Sequence, residues 1–183
     1  QKVTQAKHWT EDLFSFRITR PKSFKFRSGE FVMIGLLDSN QKPILRAYSI
    51  CSPSWSEELE FYSIIVKNGP LTSKLKNIKI GDDIIMMPKS TGTLVLDALK
   101  PGKRLFLFSS GTGFAPFAAL VREPETYERF ESIIVTHTCR KFIELSYSQS
   151  IIQECKDHEL VKDFIDNKLI SYHSTTRDDY IFN

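Results

Sequence analysis

Residues 104–117 read RLFLFSSGTGFAPF, a short apolar strand that runs directly into a glycine turn and the start of a helix. Two more apolar strands are predicted at 133–138 and 169–174, and the segment between them carries an apolar stripe at i, i+4 spacing. Strand, helix, strand, helix, strand in this order is typical of a parallel doubly wound sheet. The sequence therefore predicts an α/β domain in the second part of the chain.

The sequence before residue 100 has a different pattern, in which short strand signals alternate with turn residues. Phe14, Phe16 and Ile18 alternate with polar residues and predict a half-buried strand, whereas the nearly all-apolar residues 31–37 predict a strand buried on both faces. Further strands are predicted at 44–51, 59–66, 84–87 and 93–96, with one short helix at 71–76. Many short strands at this spacing favour a small closed antiparallel barrel.

We therefore predict two domains that meet near Pro101. Residues 1–100 form the antiparallel β-barrel, and residues 101–183 form the α/β domain. A chain of 183 residues is long enough for two small domains of this kind.

Composition narrows the class of protein. The chain is 41% hydrophobic and 26% charged, as globular proteins are. Its net charge of +3 is small and dispersed, so we expect no nucleic-acid partner. No apolar run approaches the ~18 residues of a membrane span, so we expect no membrane partner. Three widely spaced cysteines and the absence of an apolar leader indicate a cytoplasmic protein, and no His or Cys spacing predicts a metal site.

The glycine turn is the strongest local signal. Gly111 and Gly113 allow the backbone to turn tightly and to approach a ligand closely, and the amides that open the next helix favour an anion. Pro116 stands where the third glycine of a GxGxxG motif would be, and proline is well accommodated in the first turn of a helix. From these residues alone, phosphate binding and simple chain reversal are both open.

A second signal is the sequence RAYS at 46–49, within a predicted strand. Arg46 and Tyr48 are two residues apart and project to one face. A guanidinium can hold a phosphate with two hydrogen bonds, and a tyrosine ring can lie on a planar ring system. Ser49 adds a short donor and acceptor. A purely structural arginine–tyrosine pair remains the alternative.

A third signal is the turn at 68–73, which reads NGPLTS and leads into the short helix. Thr72 has the side chain of a helix N-cap. The backbone amides at the same place favour a second phosphate equally well.

The order of these motifs is far more specific than any one of them. The chain reads RAYS at 46–49, GPLTSKL at 69–75, TGTLVL at 91–96 and GTGFAPF at 111–117. In this order they resemble the ferredoxin–NADP⁺ reductase family, in particular its bacterial branch. The similarity extends from about His8 to Arg177, which is essentially the whole chain.

The resemblance implies that the barrel holds FAD. Arg46 would pair with the FAD pyrophosphate, Tyr48 would stack on the flavin ring, and Ser49 would form a hydrogen bond near flavin N5, which makes Tyr48 and Ser49 the implied catalytic residues. The residues implied to contact FAD are Arg46, Ala47, Tyr48, Ser49, Tyr62, Pro70, Leu71, Thr72 and Thr112.

The resemblance also implies that the α/β domain holds NADP(H). Thr112 would lie between flavin and nicotinamide, and Arg140 and Arg177 would read the 2′-phosphate of the adenosine. The residues implied to contact NADP(H) are Gly111, Thr112, Gly113, Cys139, Arg140, Thr176 and Arg177.

The implied activity is that of an FAD-dependent oxidoreductase. Hydride would pass between NADP(H) and flavin N5, and single electrons would pass to a carrier protein, ferredoxin or flavodoxin. Two alternatives remain open: a flavin reductase that serves an oxygenase or a haem protein, and a non-catalytic module that binds a nucleotide or flavin.

The match departs from the family at its end. Reductases of this kind continue well past the third α/β strand, and the segments that follow it in them are absent between Asp178 and Asn183. We therefore expect the NADP-binding domain to be incomplete in this chain.

Overall fold

The computed structural model describes residues 1–178, in which no helix is long and apolar enough to cross a membrane. The strands are β1 (Val3–His8), β2 (Leu13–Thr19), β3 (Phe31–Leu37), β4 (Pro43–Ser49), β5 (Glu58–Ile64), β6 (Ile85–Thr91), β7 (Arg104–Ser110), β8 (Ser132–Cys139) and β9 (Leu169–Thr175). The α-helices are α1 (Thr72–Leu75), α2 (Ala115–Val121), α3 (Pro124–Arg129), α4 (Ser146–Asp157) and α5 (Lys162–Lys168). Short 3₁₀ turns lie at Leu96–Ala98, Gly111–Phe114 and Phe142–Leu145.

The six strands before residue 100 form two antiparallel sheets, in the orders β1-β2-β5 and β4-β3-β6. The sheets meet on one side at a bridge between Lys2 and Asp83, and on the other where the Cys51 amide donates to the Glu60 carbonyl at 2.8 Å. Their inward side chains form one buried cluster that includes Val3, Phe14, Phe16, Ile18, Val32, Ile34, Leu59 and Phe61. The predicted antiparallel barrel is confirmed.

β3 is buried on one face, so the prediction that residues 31–37 are buried on both faces was wrong. Val32 and Ile34 are fully buried, whereas Met33 is half-buried and Leu37 is largely exposed. An antiparallel strand commonly packs only one face on the core, and apolar side chains on its outer face are common at protein surfaces. An all-apolar run therefore does not by itself indicate burial of both faces.

The strand predicted at 93–96 is also absent. After β6 the chain turns at Gly92, whose φ is +138°, and then runs extended at Val95 into the Leu96–Ala98 turn. Val95 and Leu96 are buried without belonging to a strand, and Leu96 joins the core of the second half of the molecule. The apolar run thus marks a connecting segment that packs between the two halves.

The second half contains the parallel sheet β7-β8-β9, in register from Arg104 opposite Ser132 and from Ile133 opposite Leu169. Parallel neighbours joined through helices confirm the predicted α/β class. Helices α2 to α5 all contribute to one buried cluster against the sheet, which includes Leu105, Leu107, Ile133, Val135, Ala118, Tyr127, Tyr147, Ile151 and Ile165. Across residues 1–178, therefore, the helices pack on one face of this sheet.

Arg122 and Glu123, which follow directly on α2, join the two halves. The Arg122 guanidinium donates to the Cys51 carbonyl at 2.6 Å and to the Glu60 carboxylate at 3.0 Å. The Glu123 carboxylate accepts hydrogen bonds from the Ser54 amide and hydroxyl, at 3.1 and 2.8 Å. Two adjacent residues of opposite charge thus fix α2, and the glycine turn that precedes it, against the barrel.

Candidate functional site

Arg46 and Tyr48 lie on the same face of β4, on the side of the barrel where β4 and β5 do not pair as a ladder. The Tyr48 hydroxyl spans this gap and is 3.1 Å from the Ser63 hydroxyl of β5. Its ring packs edge-on against Phe16 and Phe61 at 6.4 and 6.2 Å. Burial raises the pKa of Tyr48, which keeps the phenol protonated at neutral pH. The structure therefore holds Tyr48 firmly, half-buried, at the open side of the barrel.

The Arg46 guanidinium is exposed and donates one hydrogen bond, at 2.8 Å, to the carbonyl of its own neighbour Leu45. No carboxylate within residues 1–178 pairs with it. Most of its five N–H donors are therefore available to a ligand, and a guanidinium suits a phosphate. By strand alternation Ala47 and Ser49 project to the opposite face of β4.

The turn before α1 contradicts the N-cap prediction for Thr72. Leu71 is buried in the barrel core, and Pro70 is exposed. The Thr72 hydroxyl does not cap α1; it accepts from the Val66 amide at 3.1 Å and lies 3.3 Å from the Val66 carbonyl. The N-cap prediction for Thr72 was wrong because this side chain closes the preceding loop instead. The Ser73 amide donates to the Gly69 carbonyl at 3.2 Å, and the Lys74 and Leu75 amides donate to the Leu71 carbonyl. Among the described residues of this turn, the amides of Leu71 and Thr72 are therefore the ones left for a phosphate.

Tyr62 faces away from Tyr48, although both belong to the predicted FAD-contacting set. Neighbouring side chains of a strand alternate, so Ser63 turns to Tyr48 while Tyr62 turns to the α/β half. There its ring stacks on Tyr147 at 4.1 Å and 14°. Its hydroxyl is buried and has no hydrogen-bond partner within the described part of the chain.

A cleft of about 370 Å³ opens where β7 and β8 end and the barrel begins. Five residues predicted to contact NADP(H) line it, namely Gly111, Thr112, Cys139, Arg140 and Thr176. Leu13 and Ile64 of the barrel form the opposite wall, and Asp12, Ser110, Thr138 and Glu144 complete it. In an open parallel sheet, ligands bind outside the carboxyl ends of the strands, which is where this cleft lies.

The glycine turn presents its backbone to open space. Gly111 has a φ of +50°, in the left-handed region that favours glycine. A Cβ atom added at Gly111 or at Gly113 would meet nothing within 4 Å. A flat or phosphorylated ligand thus has direct access to this backbone, although Gly113 itself does not line the 370 Å³ cleft.

Arg140 and Arg177, which are predicted to read the 2′-phosphate, lie side by side. The Arg177 amide donates to the Arg140 carbonyl at 2.9 Å, and both residues line a second cleft of about 360 Å³ that adjoins the first. Lys141, which the sequence did not suggest, lines the same cleft. Glu144 balances part of this charge and accepts from the Arg140 amide at 2.8 Å.

Cys139 lines the first cleft as a protonated thiol. Burial raises its pKa to about 11, with the Glu144 carboxylate acting in the same direction. Its sulfur lies 3.3 Å from His137 Nε2 and 3.7 Å from the Glu144 carbonyl. The thiol is therefore an uncharged wall of the cleft at neutral pH.

Several residues that shape the site carry no local sequence signal. Tyr147 packs between Tyr62 and Phe114, and its hydroxyl donates to the Glu60 carboxylate at 3.1 Å. Tyr147 belongs to the apolar i, i+4 stripe that predicted this helix, but the residues it contacts are distant in sequence and could not be predicted from that stripe. Among residues 1–178, no group of three or more His, Cys, Asp or Glu side chains is placed to hold a metal ion.

Comparisons with known proteins give one consistent result. A family described as oxidoreductase FAD-binding domain matches residues 2–105. The flavodoxin/ferredoxin–NADP reductase of Rhodobacter capsulatus is 57% identical over 180 residues, an alignment that covers 98% of this chain and 67% of that protein. The ferredoxin–NADP reductase of Azotobacter vinelandii is 46% identical, with 98% and 69% covered.

A solved structure agrees with these relatives. The crystal structure of a ferredoxin NADP⁺ reductase from Neisseria gonorrhoeae with bound FAD and NADP superposes with a TM-score of 0.86 at 27% identity, and the match covers 98% of this chain and 69% of that one. This chain therefore spans about two thirds of the length of these relatives.

Proposed function

This chain belongs to the ferredoxin–NADP reductase family, and from that membership and the geometry of its clefts we propose that it is an FAD-dependent oxidoreductase. It transfers electrons between NADP(H) and ferredoxin, the carrier that the names of its relatives give. We extend the carrier to flavodoxin, which the name of the Rhodobacter relative includes.

One observation supports the proposal most strongly: the FAD site predicted in the barrel and the NADP(H) site predicted in the α/β half both lie against strand β5. Tyr48 is hydrogen-bonded to Ser63 at 3.1 Å, and the next residue, Ile64, lines the cleft at the glycine turn. On the far side of that cleft stands Thr112. A planar ring held at Tyr48 and a second ring held at Thr112 would therefore lie next to each other at the end of β5.

The residues present fit FAD at the barrel. Arg46 has free donors for a pyrophosphate, and Tyr48 offers an immobilised ring at the open side of the barrel. We assign FAD to the side chains of Arg46 and Tyr48 and to Ala47 and Ser49 through the backbone of β4. Its phosphates are assigned also to the backbone of 70–72, and its far edge to Thr112. Tyr62 contributes through its backbone in β5, since its ring packs on Tyr147.

The residues present also fit NADP(H) at the α/β half. The accessible backbone at Gly111 and Gly113 suits a phosphate or a ring edge, and Arg140 and Arg177 line one cleft that suits a 2′-phosphate. Cys139 and Thr176 also line the cleft at the glycine turn. We place the boundary between the two halves at residues 100 and 101.

FAD, when bound, supplies the chemistry, because it accepts two electrons from a nicotinamide and releases them singly. The chain positions the two rings and excludes water from them. Tyr48 orients one ring through its side chain and Ser49 through the backbone of β4, and Ile64 and the protonated Cys139 give the cleft two uncharged walls. No protein nucleophile is required. Three free, buried cysteines suit a reducing compartment, and we propose that the protein acts in the cytoplasm.

The test is spectral. Purified protein loaded with FAD should show a flavin spectrum that loses its visible absorbance when NADPH is added without oxygen, and adding oxidised ferredoxin should restore it. A protein that retains no FAD would contradict the proposal. Retained FAD that NADPH does not reduce would leave a binding module and not a reductase.

A further inference from the structure

His137 lies directly beneath the glycine turn and is not part of either predicted set. It projects from β8 to the buried face of the sheet, where only 1% of it is exposed. Its Nε2 is 2.9 Å from the Gly111 carbonyl oxygen, and its Nδ1 is 2.6 Å from the Ser148 hydroxyl of α4. The ring also stacks on Phe114 at 5.0 Å. Both ring nitrogens are therefore committed inside the protein.

The partners of the two ring nitrogens determine where the ring carries its proton. Nε2 lies 2.9 Å from the Gly111 carbonyl oxygen and 3.3 Å from the Cys139 sulfur; the carbonyl can only accept and is the stronger acceptor, so Nε2 carries hydrogen and donates to Gly111. Burial lowers the pKa of His137 to about 4, so the ring is neutral and Nδ1 is an acceptor. The Ser148 hydroxyl has one proton and two acceptors in reach, Nδ1 at 2.6 Å and the Leu145 carbonyl at 2.9 Å, and it donates to the nearer Nδ1. Protons on both nitrogens would instead leave an imidazolium that is hydrogen-bonded to no carboxylate in the protein interior, which is costly.

The peptide that His137 holds is one that local sterics do not fix. Glycine at position 111 has no Cβ, and its φ of +50° is only one of several that it reaches freely. The 3₁₀ turn at Gly111–Phe114 gives this peptide only short local support, so a contact from outside the turn adds to the selection of one orientation. The bond from Nε2 to the Gly111 carbonyl is such a contact, since it comes from a side chain that is itself held by Ser148 and Phe114.

Fixing the Gly111 carbonyl also fixes the Thr112 amide. All peptide bonds of the described residues are trans, and in a trans peptide the C=O and the following N–H point in opposite directions. The carbonyl points inward to His137, so the Thr112 N–H points outward to the cleft that Thr112 lines. As an amide in the first turn of a helical segment, it has no intrahelical acceptor and is free to donate to a ligand.

We propose that His137 is a positioning residue for the nicotinamide dinucleotide: the relay from Ser148 through His137 to the Gly111 carbonyl sets the Thr112 amide toward the cofactor. This inference rests on the proposed function for the identity of the ligand. His137 itself does not touch the cofactor, and it acts only through the peptide between Gly111 and Thr112.

The test compares variants at position 137 by binding of NADP⁺ to the FAD-loaded protein, measured by calorimetry. His137→Phe keeps the stack on Phe114 and removes the donor, and should raise the Kd for NADP⁺ about tenfold, the effect of losing one hydrogen bond. His137→Gln keeps a donor near the Nε2 position and should stay within about twofold of the original. The KM for NADPH should follow the Kd, while kcat changes little.

His173→Phe is the matched control. His173 pairs with His137 across β8 and β9, with the rings 6.4 Å apart, but it is no member of the relay. This variant should bind NADP⁺ as the original protein does. A merely structural role for His137 would lower the melting temperature of both 137 variants and leave their NADP⁺ affinities equal, which would overturn the proposal.

A second measurement covers the case in which His137→Phe does not fold. Ser148→Ala removes only the far support of the ring, and should shift the Thr112 amide resonance in NMR spectra of the protein without cofactor and weaken NADP⁺ binding by a few fold. An unchanged Thr112 resonance with unchanged affinity would refute the relay. An original protein that does not bind NADP⁺ at all would count against the proposed function, whereas the Thr112 resonance tests the relay independently.

Discussion

The barrel and the α/β half differ in how far their phenylalanine side chains are exposed to solvent. In the barrel, Phe14, Phe16 and Phe61 are at most 1% exposed. On the parallel sheet, Phe106 and Phe108 are stacked on each other at 5.8 Å yet are 48% and 69% exposed. Two sheets that face each other bury their own inner faces. A parallel sheet needs helices on both faces, and across residues 1–178 the helices cover only one.

This difference shows that the two halves obtain their stability from different sources. The barrel core is formed by residues of the first half alone, in its strands and in the segments that connect them. The α/β half relies on one packed face and on its attachment to the barrel through Arg122, Glu123 and Tyr147. We therefore expect the attachment to be most critical for the α/β half.

Removing the buried charge at the attachment should have the largest effect. Arg122→Met leaves the Glu60 carboxylate, which is 6% exposed as a side chain, without its closest cation. Breaking one partner of a buried ion pair costs about 3–5 kcal/mol, and denaturant unfolding should then show the α/β half opening before the barrel.

Arg129→Ala is the control for that variant. Its pairs with Asp97 and Glu125 are solvent-exposed, so the change should cost less than about 1 kcal/mol. If Arg122→Met unfolds at the same denaturant concentration as the original protein, the attachment through Arg122 does not stabilise the α/β half.

Matched phenylalanines test the contrast between the two sheets directly. Phe61→Ala empties a fully buried position of the barrel core and should cost about 3–4 kcal/mol. Phe108→Ala removes a side chain that is 69% exposed and should change the free energy of unfolding by less than about 0.5 kcal/mol. Equal losses in chemical denaturation would mean that the exposed face of the parallel sheet is covered in solution.

Much of this contrast could be predicted from the sequence, because it follows from local patterns. The turn residues and short apolar runs predicted the barrel strands, and the strand that leads into Gly111 predicted the parallel sheet. The motif at 46–49 placed Arg46 and Tyr48 on one strand face, where the structure has them.

The rest depends on contacts between distant residues, which no local pattern contains. Glu60 and Arg122 are 62 residues apart, and no sequence motif around either residue predicts that they form an ion pair. The direction of Tyr62 depends on which face of β5 meets the α/β half, and the burial of Val95 and Leu96 depends on what the two halves enclose. Thr72 was misassigned because its hydroxyl could accept a hydrogen bond either from its own helix or from the preceding loop. In the structure it accepts from the Val66 amide of the loop.

The dependence of the free energy of unfolding on pH should also distinguish the two halves. Burial lowers the pKa of His137 in the α/β half to about 4, from an ordinary value of 6.5. Between these values the unfolded chain binds a proton that the folded chain does not, so this contribution is complete above about pH 6.5 and is lost as the pH falls toward 4. The expected loss between pH 7 and 4.5 is on the order of 2 kcal/mol.

Unfolding curves of His137→Gln at the two pH values check this expectation. The variant should lack that part of the acid sensitivity, while His8→Gln, at an exposed position of the barrel, should keep it. Burial also lowers the pKa of His173, which remains in both variants and so cancels in the comparison. An identical acid response of His137→Gln and the original protein would contradict the assignment.

Crossed binding measurements test whether the two halves bind different cofactors at adjoining sites. Arg46→Ala and the double variant Arg140→Ala/Arg177→Ala are each titrated with FAD, NADP⁺ and NAD⁺ by calorimetry. We expect Arg46→Ala to weaken FAD binding about ten- to hundredfold, as loss of a charge-assisted phosphate contact does, and to leave NADP⁺ binding nearly unchanged in protein saturated with FAD. The double variant should weaken NADP⁺ binding by a similar factor and leave the binding of FAD and NAD⁺ unchanged. A variant in either half that weakened FAD binding and NADP⁺ binding equally would contradict the division into two sites.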